Sequence, residues 1–364
     1  MTHESICPTV QANNGWPGHR SALPARHCQT NCIGGATGGL LRVANPDITI
    51  KPDEVDALKR LQTIRRALVG AACLAVVAAL ALEGCAAREA RFDGEQAYRH
   101  VLKQCDYGPR PVGSDAGRRT AAYIVTELDR VGWETEEQRF FYRGVMGCNV
   151  IGKWGRGPLL LLGAHYDTRS RADRDPDQPE EGVLGANDGA SGVAVLLELA
   201  RSLDVPKTGR EVWLVFFDAE DQGNIDGWPF AVGASYMAEA LTVMPEAVVI
   251  VDMVGDAEQE IYWEGNSDPE LLGEIWAIAA ELGYEVHFVP QYRYQIVDDH
   301  IPFRDRGLPA LDIIDFDYRY WHTTEDTADK VSPQSLERVG RVLEDWLEGR
   351  PWDPSQEQGV IESR

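Results

Sequence analysis

Two apolar patterns alternate along the chain from residue 92 onward. Continuous apolar runs are typical of strands that are buried on both faces. They predict strands at 159–162, 210–217, 247–252 and 310–314, and residues 135–142 and 149–154 also favour strands. Apolar residues at helical spacing predict helices at 95–103, 116–131, 193–203, 233–241, 268–282 and 332–347. Because strands and helices alternate, we expect one α/β domain over residues 92–349, a sandwich built on a mostly parallel sheet.

The two ends of the chain lack these patterns. Residues 1–65 contain Gly, Pro, Asn and Thr without apolar periodicity, and residues 350–364 are polar. We therefore expect an unstructured leader and a loose polar tail.

An uncharged apolar run at residues 67–82 follows Arg65 and Arg66 and leads into the sequence LEGC, which ends at Cys85. A basic segment, a short apolar run and small residues before a cleavage point are typical of a secretory signal. The LEGC ending resembles a bacterial lipobox, in which Cys85 would be lipidated, although Glu83 replaces the small residue that is usual there. An uncleaved membrane anchor is the alternative, and the run is short for one.

Either interpretation of residues 66–85 predicts that the following domain is exported, because the positive charges precede the apolar run. We expect a membrane-tethered protein of the periplasm or cell envelope. Since a signal some 65 residues inside a chain is unusual, we hypothesise that the natural start lies near residues 55–61. The longer leader would then be a translation artefact.

The formal net charge of the 364-residue chain is −23, and 44% of its residues are hydrophobic. This apolar content suffices for a globular core. The acidic balance argues against nucleic acid as a partner, since phosphate binding requires a basic surface. Cationic peptides or amines are compatible with it as ligands.

Cys105 and Cys148 are the cysteines that follow Cys85 in the exported domain. In an oxidising compartment they form either one disulfide or two buried free thiols. The sequence leaves both alternatives open, because it does not show how close their Cα atoms lie.

Polar clusters follow several of the apolar runs. The first run leads into GAHYDT, and residues two apart in an extended backbone face the same side, so His165 can bind a metal while Asp167 accepts its second ring N–H. The loop at residues 185–192 reads GANDGASG and leads into a predicted helix. Its Asp188 either points into the crevice at the end of the sheet or only caps that helix.

Two further predicted strands and one loop add carboxylates and an imidazole. Glu220 and Asp221 follow one strand, and adjacent carboxylates repel each other unless a cation holds them. One of the pair can therefore bind a metal while the other acts as a base. Asp252 ends the next strand, and His322 lies in the loop YWHTTEDT. Mixed imidazole and carboxylate ligands favour zinc.

The order HYD, ANDGASG, an acidic pair, DMVG and WHT resembles the zinc aminopeptidase and glutaminyl cyclase clan over residues 92–349. The resemblance implies a three-layer α/β/α sandwich with a mixed, mostly parallel central sheet and a site at the carboxyl ends of its strands. It implies that Glu220 is the general base. The metal positions of the two-zinc members match His165, Asp188, Asp221, Asp252 and His322. Asp221 is a departure, since a Glu, one methylene longer, is common there.

The clan contains two kinds of enzyme. Aminopeptidases use two zinc ions to hydrolyse an amide, whereas glutaminyl cyclases use one zinc and convert the N-terminal Gln of a peptide to pyroglutamate with release of ammonia. The chain is more similar to the bacterial cyclases, because DDHIPF supplies an extra carboxylate, Asp298. Trp321 and Trp228 also match cyclase positions that line the substrate pocket.

In the cyclase interpretation one zinc binds at Asp188, Asp221 and His322, and residues like His165 and Asp252 are retained in support. In the aminopeptidase interpretation these last two complete a second metal position. The ligand set alone therefore does not determine whether one or two metal ions bind.

The favoured hypothesis is a zinc-dependent glutaminyl-peptide cyclotransferase that acts on peptides with an N-terminal Gln. Glu220 would carry the proton, and Asp298 and Asp252 would complete the catalytic carboxylates. The alternatives are a two-zinc aminopeptidase and a non-catalytic peptide-binding protein on this fold. The intact Glu220 and metal set argue against the last alternative.

Overall fold

The computed structural model describes residues 91–349. The predicted leader, the signal with Cys85 and the polar tail lie outside these residues. No helix between residues 91 and 349 is long and apolar enough to cross a membrane.

A six-stranded mixed sheet forms the centre of the described domain, and a separate two-stranded sheet lies beside one of its edges. The strands of residues 91–349 are β1 (Glu134–Tyr142), β2 (Val145–Gly155), β3 (Leu159–His165), β4 (Glu211–Phe217), β5 (Ala247–Asp252), β6 (Ile261–Glu264), β7 (Phe288–Tyr294) and β8 (Ala310–Ile314). The central order is β1-β2-β4-β3-β5-β8. β2 pairs antiparallel with β1 and β4, whereas β4, β3, β5 and β8 are parallel. The four parallel strands are the four apolar runs of the sequence, so the predicted mixed, mostly parallel sheet is confirmed.

Helices cover both faces of this sheet. In residues 91–349 they are α1 (Gly94–Cys105), α2 (Asp115–Arg130), α3 (Ala190–Ser202), α4 (Val205–Thr208), α5 (Val232–Ala240), α6 (Pro269–Glu281), α7 (Ile301–Arg304) and α8 (Pro333–Gly349), with a 3-10 turn at Ala328–Lys330. Successive strand residues face opposite sides. Leu160 and Leu162 of β3 accordingly join the larger core, with α1, α2, α3, α6 and α8, while Leu161 joins the smaller core, with α5 and α7. The predicted three-layer α/β/α sandwich is confirmed.

Close packing at the start of α3 positions the loop that precedes it. Gly192 lies so near β5 that a Cβ at this position would overlap the carbonyl oxygen of Val251. The first turn of α3 therefore rests directly on the sheet. As a result, the Gly-rich loop before α3 lies at the carboxyl ends of the parallel strands, where ligand sites of α/β folds form.

The sequence patterns miss the two-stranded parallel sheet of β6 and β7. Phe288 is buried, but residues 290–293 are exposed and include Pro290. Such a strand is typical of a sheet edge and carries no continuous apolar run.

Cys105 in α1 and Cys148 in β2 are free thiols. Burial raises the pKa of each thiol to about 11. Of the two alternatives for these cysteines, the structure shows the free form, with half-buried side chains of low reactivity.

Candidate metal centre and active-site cavity

Asp188 lies between two histidines at the carboxyl end of the sheet. Its Oδ1 is 3.2 Å from Nε2 of His165, the last residue of β3, and its Oδ2 is 3.8 Å from Nε2 of His322. Gly189 precedes α3 with a φ of 98°, and no side chain caps this helix. The alternative in which Asp188 only caps α3 is therefore wrong, and its carboxylate points toward both imidazoles.

Two candidate ligand groups share Asp188. They are His165 with Asp188 and Asp252, and Asp188 with Asp221 and His322, and in each group the ligand atoms lie within 4.8 Å of one another. Nε2 of His165 is 3.1 Å from Asp252 Oδ1, and Nε2 of His322 is 3.2 Å from Asp221 Oδ1. All five side chains are buried. The structure thus brings together the five residues that the sequence indicates as metal ligands.

Several polar atoms of this cluster have no hydrogen-bond partner within the described residues. They are Nδ1 of His165, Oδ2 of Asp188 and Oδ2 of Asp221. Buried polar atoms are nearly always partnered, so orphaned oxygens on neighbouring carboxylates indicate that a cation completes the site. Imidazole and carboxylate ligands in two overlapping groups fit a divalent ion such as zinc.

The charges of the cluster favour metal binding. Burial raises the pKa of Asp221 to about 7, and burial together with repulsion from Asp221 raises the pKa of Asp188. Burial lowers the pKa of His322 to about 4, so this imidazole is neutral at pH 7 and its lone pair is available to a metal. For His165, burial opposes protonation, but Asp252 and the other nearby carboxylates outweigh it and raise the pKa. A bound cation would neutralise the carboxylates and replace the proton on His165.

Glu220 and Asp298 face one cavity of about 470 Å³ beside these ligands. Burial, followed by repulsion from Asp298, raises the pKa of Glu220 well above its usual value. Burial and the charge of Asp252 raise the pKa of Asp298 to about 6. Carboxyl groups with raised pKa values can take up and release protons near neutral pH, as general acid–base catalysis requires.

Apolar side chains line most of the rest of this cavity. They include Trp321, as the sequence predicts, together with Phe230, Met253, Ile296, Val297, Ile314 and Phe316. Trp228 is not among them, since its ring packs against Tyr142 with centroids 4.9 Å apart, in a separate apolar cluster. The prediction that Trp228 lines the pocket is wrong, because the loop after the acidic pair directs Phe230 into the cavity instead.

Asp167 supports the acidic pair rather than His165. Its carboxylate accepts hydrogen bonds from the backbone N–H groups of Glu220, at 3.0 Å, and of Asp221, at 3.1 Å. The distance from its Oδ1 to Nδ1 of His165 is 3.6 Å, which is too long for a hydrogen bond. The expected hydrogen bond that would fix the His165 tautomer is therefore absent between these two residues, and Asp167 instead holds the loop that presents the base.

Asp326 is a buried carboxylate of the site that the sequence patterns do not reveal. It accepts hydrogen bonds from the backbone N–H groups of Asn187, at 2.8 Å, and Asp188, at 3.1 Å, and from the Tyr318 hydroxyl, at 2.8 Å. The only sequence signal is that Asp326 follows His322 by four residues, whereas its partner Asp188 is 138 residues away. Asp326 thus ties the loop that bears His322 to the loop that bears the shared ligand.

Arg169 is a second residue of the site that the sequence patterns do not reveal. Its guanidinium donates a hydrogen bond to Asp221 Oδ1 at 3.3 Å and forms an ion pair with Asp173 at 2.6 Å. Asp173 in turn lies 3.4 Å from Nδ1 of His322. Arg169 and Asp173 together therefore orient Asp221 and His322, the two ligands that share a group with Asp188.

Left-handed backbone conformations accompany three of the site residues. Ala219, directly before Glu220, has a φ of 65°, Met253, directly after Asp252, has a φ of 45°, and His322 itself has a φ of 60°. Residues other than glycine adopt this region at a cost, and they concentrate at functional sites. Local strain thus contributes to the directions in which these side chains point.

A three-layer sandwich with overlapping ligand groups at the strand ends and a buried base beside them is the arrangement of a metallopeptidase-like enzyme. A family model described as Peptidase family M28 matches residues 149–347, which is more than half of the chain. The chain belongs to this family.

The similar proteins include both glutaminyl cyclases and a zinc-dependent exopeptidase. A glutaminyl-peptide cyclotransferase of Boiga irregularis is 26% identical over 285 residues, which cover 65% of this chain and 75% of that protein. A crystal structure of Porphyromonas gingivalis glutaminyl cyclase is 31% identical with a TM-score of 0.67, over 71% of this chain and 99% of that one. A Zn-dependent exopeptidase from Parabacteroides distasonis is 29% identical with a TM-score of 0.67, over the same shares. The chain is therefore an enzyme of the M28 and glutaminyl cyclase type.

Proposed function

We propose that this protein is a zinc-dependent glutaminyl-peptide cyclotransferase, which converts the N-terminal Gln of peptides to pyroglutamate and releases ammonia. The observation that carries the proposal is the pair Glu220 and Asp298, two buried carboxyl groups that face one cavity, in which Asp298 raises the proton affinity of Glu220. An intramolecular cyclisation needs a proton carrier and a second carboxyl group, and it needs no water nucleophile. The similarity to the Porphyromonas gingivalis glutaminyl cyclase supports the same choice.

In this reaction the chain moves one proton between two nitrogens of the substrate. Glu220 takes a proton from the α-amine, whose nitrogen then bonds to the carbonyl carbon of the glutamine side chain. As the bond from that carbon to the amide nitrogen breaks, Glu220 returns the proton to the departing nitrogen, which leaves as ammonia. Asp298 raises the proton affinity of Glu220, and Asp252 in turn raises that of Asp298.

The cavity orients the substrate and excludes water. Zinc bound at Asp188, Asp221 and His322 would act as a Lewis acid on the side-chain carbonyl. Phe230, Phe316 and Trp321 line the cavity, and they favour a folded glutamine side chain while they exclude water that would hydrolyse it. Holding the amine near the carbonyl carbon accelerates the ring closure by proximity.

A second candidate function is a two-metal aminopeptidase. The position of Asp188 favours it, because one carboxylate oxygen faces His165 and the other faces His322, as a ligand shared by two ions would. His165 and Asp252 would then complete the second ion's ligands, and Glu220 would activate a water molecule. A non-catalytic peptide-binding protein is less favoured, because such a protein would not need a buried base beside its ligands.

One assay separates these functions. Purified protein with measured zinc content is incubated with glutamine and leucine naphthylamides and with a Gln-peptide. Cyclase activity yields ammonia and a pyroglutamyl product, and leaves the leucine compound intact. Free N-terminal amino acids from varied peptides, without pyroglutamate, would establish the aminopeptidase instead. Zinc-loaded protein that turns over none of these substrates would support the binding protein.

We also propose that the enzyme is exported and tethered to the membrane through lipidated Cys85. The basic residues and the apolar run before LEGC support this proposal. Cys85→Ser should leave an unprocessed precursor or release soluble protein, as measured by fractionation and intact mass. A wild-type protein without lipid in the cytoplasm would refute tethering, and sequencing its N-terminus would test the proposed start.

A further inference from the structure

A strip of aromatic rings leads from the cavity wall to the small sheet. Trp321 and Phe316, both in the cavity wall, have ring centroids 4.8 Å apart, and Phe316 lies 5.3 Å from Tyr294 at the end of β7. Tyr294 contacts Tyr262 of β6 at 6.4 Å. All four side chains are half-buried, so each ring leaves part of its surface to solvent. We call these four residues the aromatic strip.

The outer edge of β7 continues the aromatic strip. Within residues 91–349 this strand pairs with β6 alone, so its other edge offers backbone N–H and C=O groups to a ligand. Tyr292 is 53% exposed on this strand. Ile296 and Val297, two and three residues beyond Tyr294, belong to the cavity wall. At about 3.4 Å per residue, roughly four residues of an extended peptide reach from the cavity to Tyr292.

We propose that the aromatic strip and the edge of β7 bind the residues that follow the N-terminal residue of a substrate peptide. The inference rests on the proposed function, in which the cavity holds only the first residue. The rest of the peptide must leave at the rim, where Phe316, Trp321 and Val297 lie. Tyrosine rings with an adjacent open strand edge suit an extended chain, because the edge supplies backbone hydrogen bonds and the rings supply apolar contacts.

The charges along this surface indicate which side chains it favours. The guanidinium of Arg293 lies 4.4 Å from the centre of the Tyr262 ring and forms an ion pair with Asp317 at 3.0 Å. Arg174 lies 3.9 Å from the centre of the Trp321 ring, and the Tyr262 hydroxyl donates a hydrogen bond to Glu260 at 3.3 Å. Charges of both signs therefore flank the strip, so the rings rather than a net charge set its preference. The preferred substrates are therefore flexible peptides with apolar or aromatic residues at their third and fifth positions, which share one face of an extended chain.

The test compares a short and a long substrate on the same zinc-loaded enzyme. The short one is the amide of Gln-Ala, and the long one is a five-residue amide that begins with Gln-Ala and has phenylalanine at positions three and five. We expect kcat/KM to be about threefold to tenfold higher for the long peptide, as contacts between aromatic side chains usually yield. Tyr292→Ala should remove most of this gain through KM, with kcat and the short substrate unaffected.

Phe141→Ala is the matched control, because Phe141 is 61% exposed on β1 and does not line the cavity. It should preserve the preference for the long peptide. Equal kcat/KM values for the two peptides in the wild type, or equal losses in both variants, would overturn the proposal. So would a dimer, detected by sedimentation, that Tyr292→Ala dissociates while the two peptides bind equally well, because a second copy would then cover this edge.

Binding measurements distinguish a failure of this inference from a failure of the proposed function. The Kd values of both peptides are measured by calorimetry on the zinc-loaded Glu220→Gln protein, which should turn them over at least about 100-fold more slowly. A lower Kd for the long peptide, lost in Tyr292→Ala, supports the strip even if the wild type releases no ammonia. Ammonia release with equal Kd values supports the cyclase and refutes the strip.

Discussion

The carboxylate of Asp326 accepts a hydrogen bond from the backbone N–H of Asp188 at 3.1 Å. Asp188 is shared by both candidate ligand groups, whereas Asp326 belongs to neither. The orientation of the shared ligand therefore depends on a residue in the loop that follows His322.

Asp326→Asn should weaken zinc binding while the fold persists. The amide keeps the shape of the carboxylate but cannot accept hydrogen bonds from Asn187, Asp188 and Tyr318 with both of its end atoms. Loss of a group that orients metal ligands typically reduces metal affinity by about 10- to 100-fold. Chelator competition measures this, and Tyr318→Phe should show a smaller effect.

Asp175→Asn is the control for this experiment. Asp175 binds the same histidine loop through the backbone N–H of Thr324, at 3.0 Å, yet it does not contact Asp188. Equal zinc affinities for the wild type and Asp326→Asn, or equal losses in both variants, would show that Asp326 has no specific part in orienting the ligand.

His322→Ala should abolish activity and release zinc. The second ligand group has three protein ligands, and a zinc site that loses one of three does not keep its geometry. Metal analysis after gel filtration and a turnover assay measure both effects. His287→Ala is the control, since His287 interacts with the carbonyl oxygen of Gln259 at 2.9 Å and not with the cavity. Full activity with unchanged zinc in His322→Ala would contradict the ligand assignment.

Glu220→Gln should lower kcat by about 10²- to 10⁴-fold, the usual contribution of general acid–base catalysis, with zinc retained. Asp298→Asn should also depress cyclisation without loss of zinc. Asp226→Asn is the control, because Asp226 is exposed and pairs with Arg171 at 3.0 Å. Normal cyclisation by Asp298→Asn would argue against the cyclase mechanism, in which this carboxyl group has a role that an aminopeptidase does not require.

The zinc-free protein should lose stability as the pH rises from about 5 to 8. The folded pKa values of Asp221, Asp298 and Asp326 are about 7, 6 and 7, above the usual value near 4. These groups bind protons more tightly in the folded state, so their stabilisation is full below about pH 4 and is lost as the pH rises through 6 to 7. His322 has the opposite effect, because its folded pKa is about 4 and its contribution is lost as the pH falls from about 6.5.

Thermal unfolding of chelator-treated protein at pH 5, 6.5 and 8 tests this expectation. Burial also lowers the pKa of His100 to about 4, so this residue acts in the same direction as His322. The three carboxyl groups should outweigh these two histidines, so the unfolding temperature should be highest near pH 5. Zinc should raise it most at pH 8, where the carboxylates are ionised and repel one another. A zinc-free protein that is more stable at pH 8 than at pH 5 would contradict the raised pKa values.

The parallel strands were predictable because burial on both faces imposes continuous apolar runs. Ala247–Asp252 and Ala310–Ile314 begin and end at the predicted residues. The same rule explains why β7 escapes notice, since an exposed edge strand with Pro290 carries no such run. The sequence thus predicts buried strands better than exposed edge strands.

Four of the five candidate ligands were predictable because they end or follow an apolar strand, or lie in the Gly-rich loop, at the same edge of the sheet. The fifth, His322, lies in a polar loop after the last strand. The predictions for Trp228 and Asp167 failed because they depended on the paths of loops. Trp228 and Phe230 are two residues apart, yet only Phe230 reaches the cavity. Asp167 lies two residues after His165, but it binds the backbone of Glu220, 53 residues further along the chain. Spacing alone does not encode such distant hydrogen bonds.

The left-handed conformations of Ala219, Met253 and His322 imply a trade-off between thermal stability and catalytic rate. Glycine adopts a positive φ without steric cost, so Ala219→Gly would relieve strain in the folded protein and also free the backbone that aims Glu220. Selection for heat resistance would therefore favour changes at Ala219 and Met253, which are not ligands, and the resulting variants would be more stable but slower.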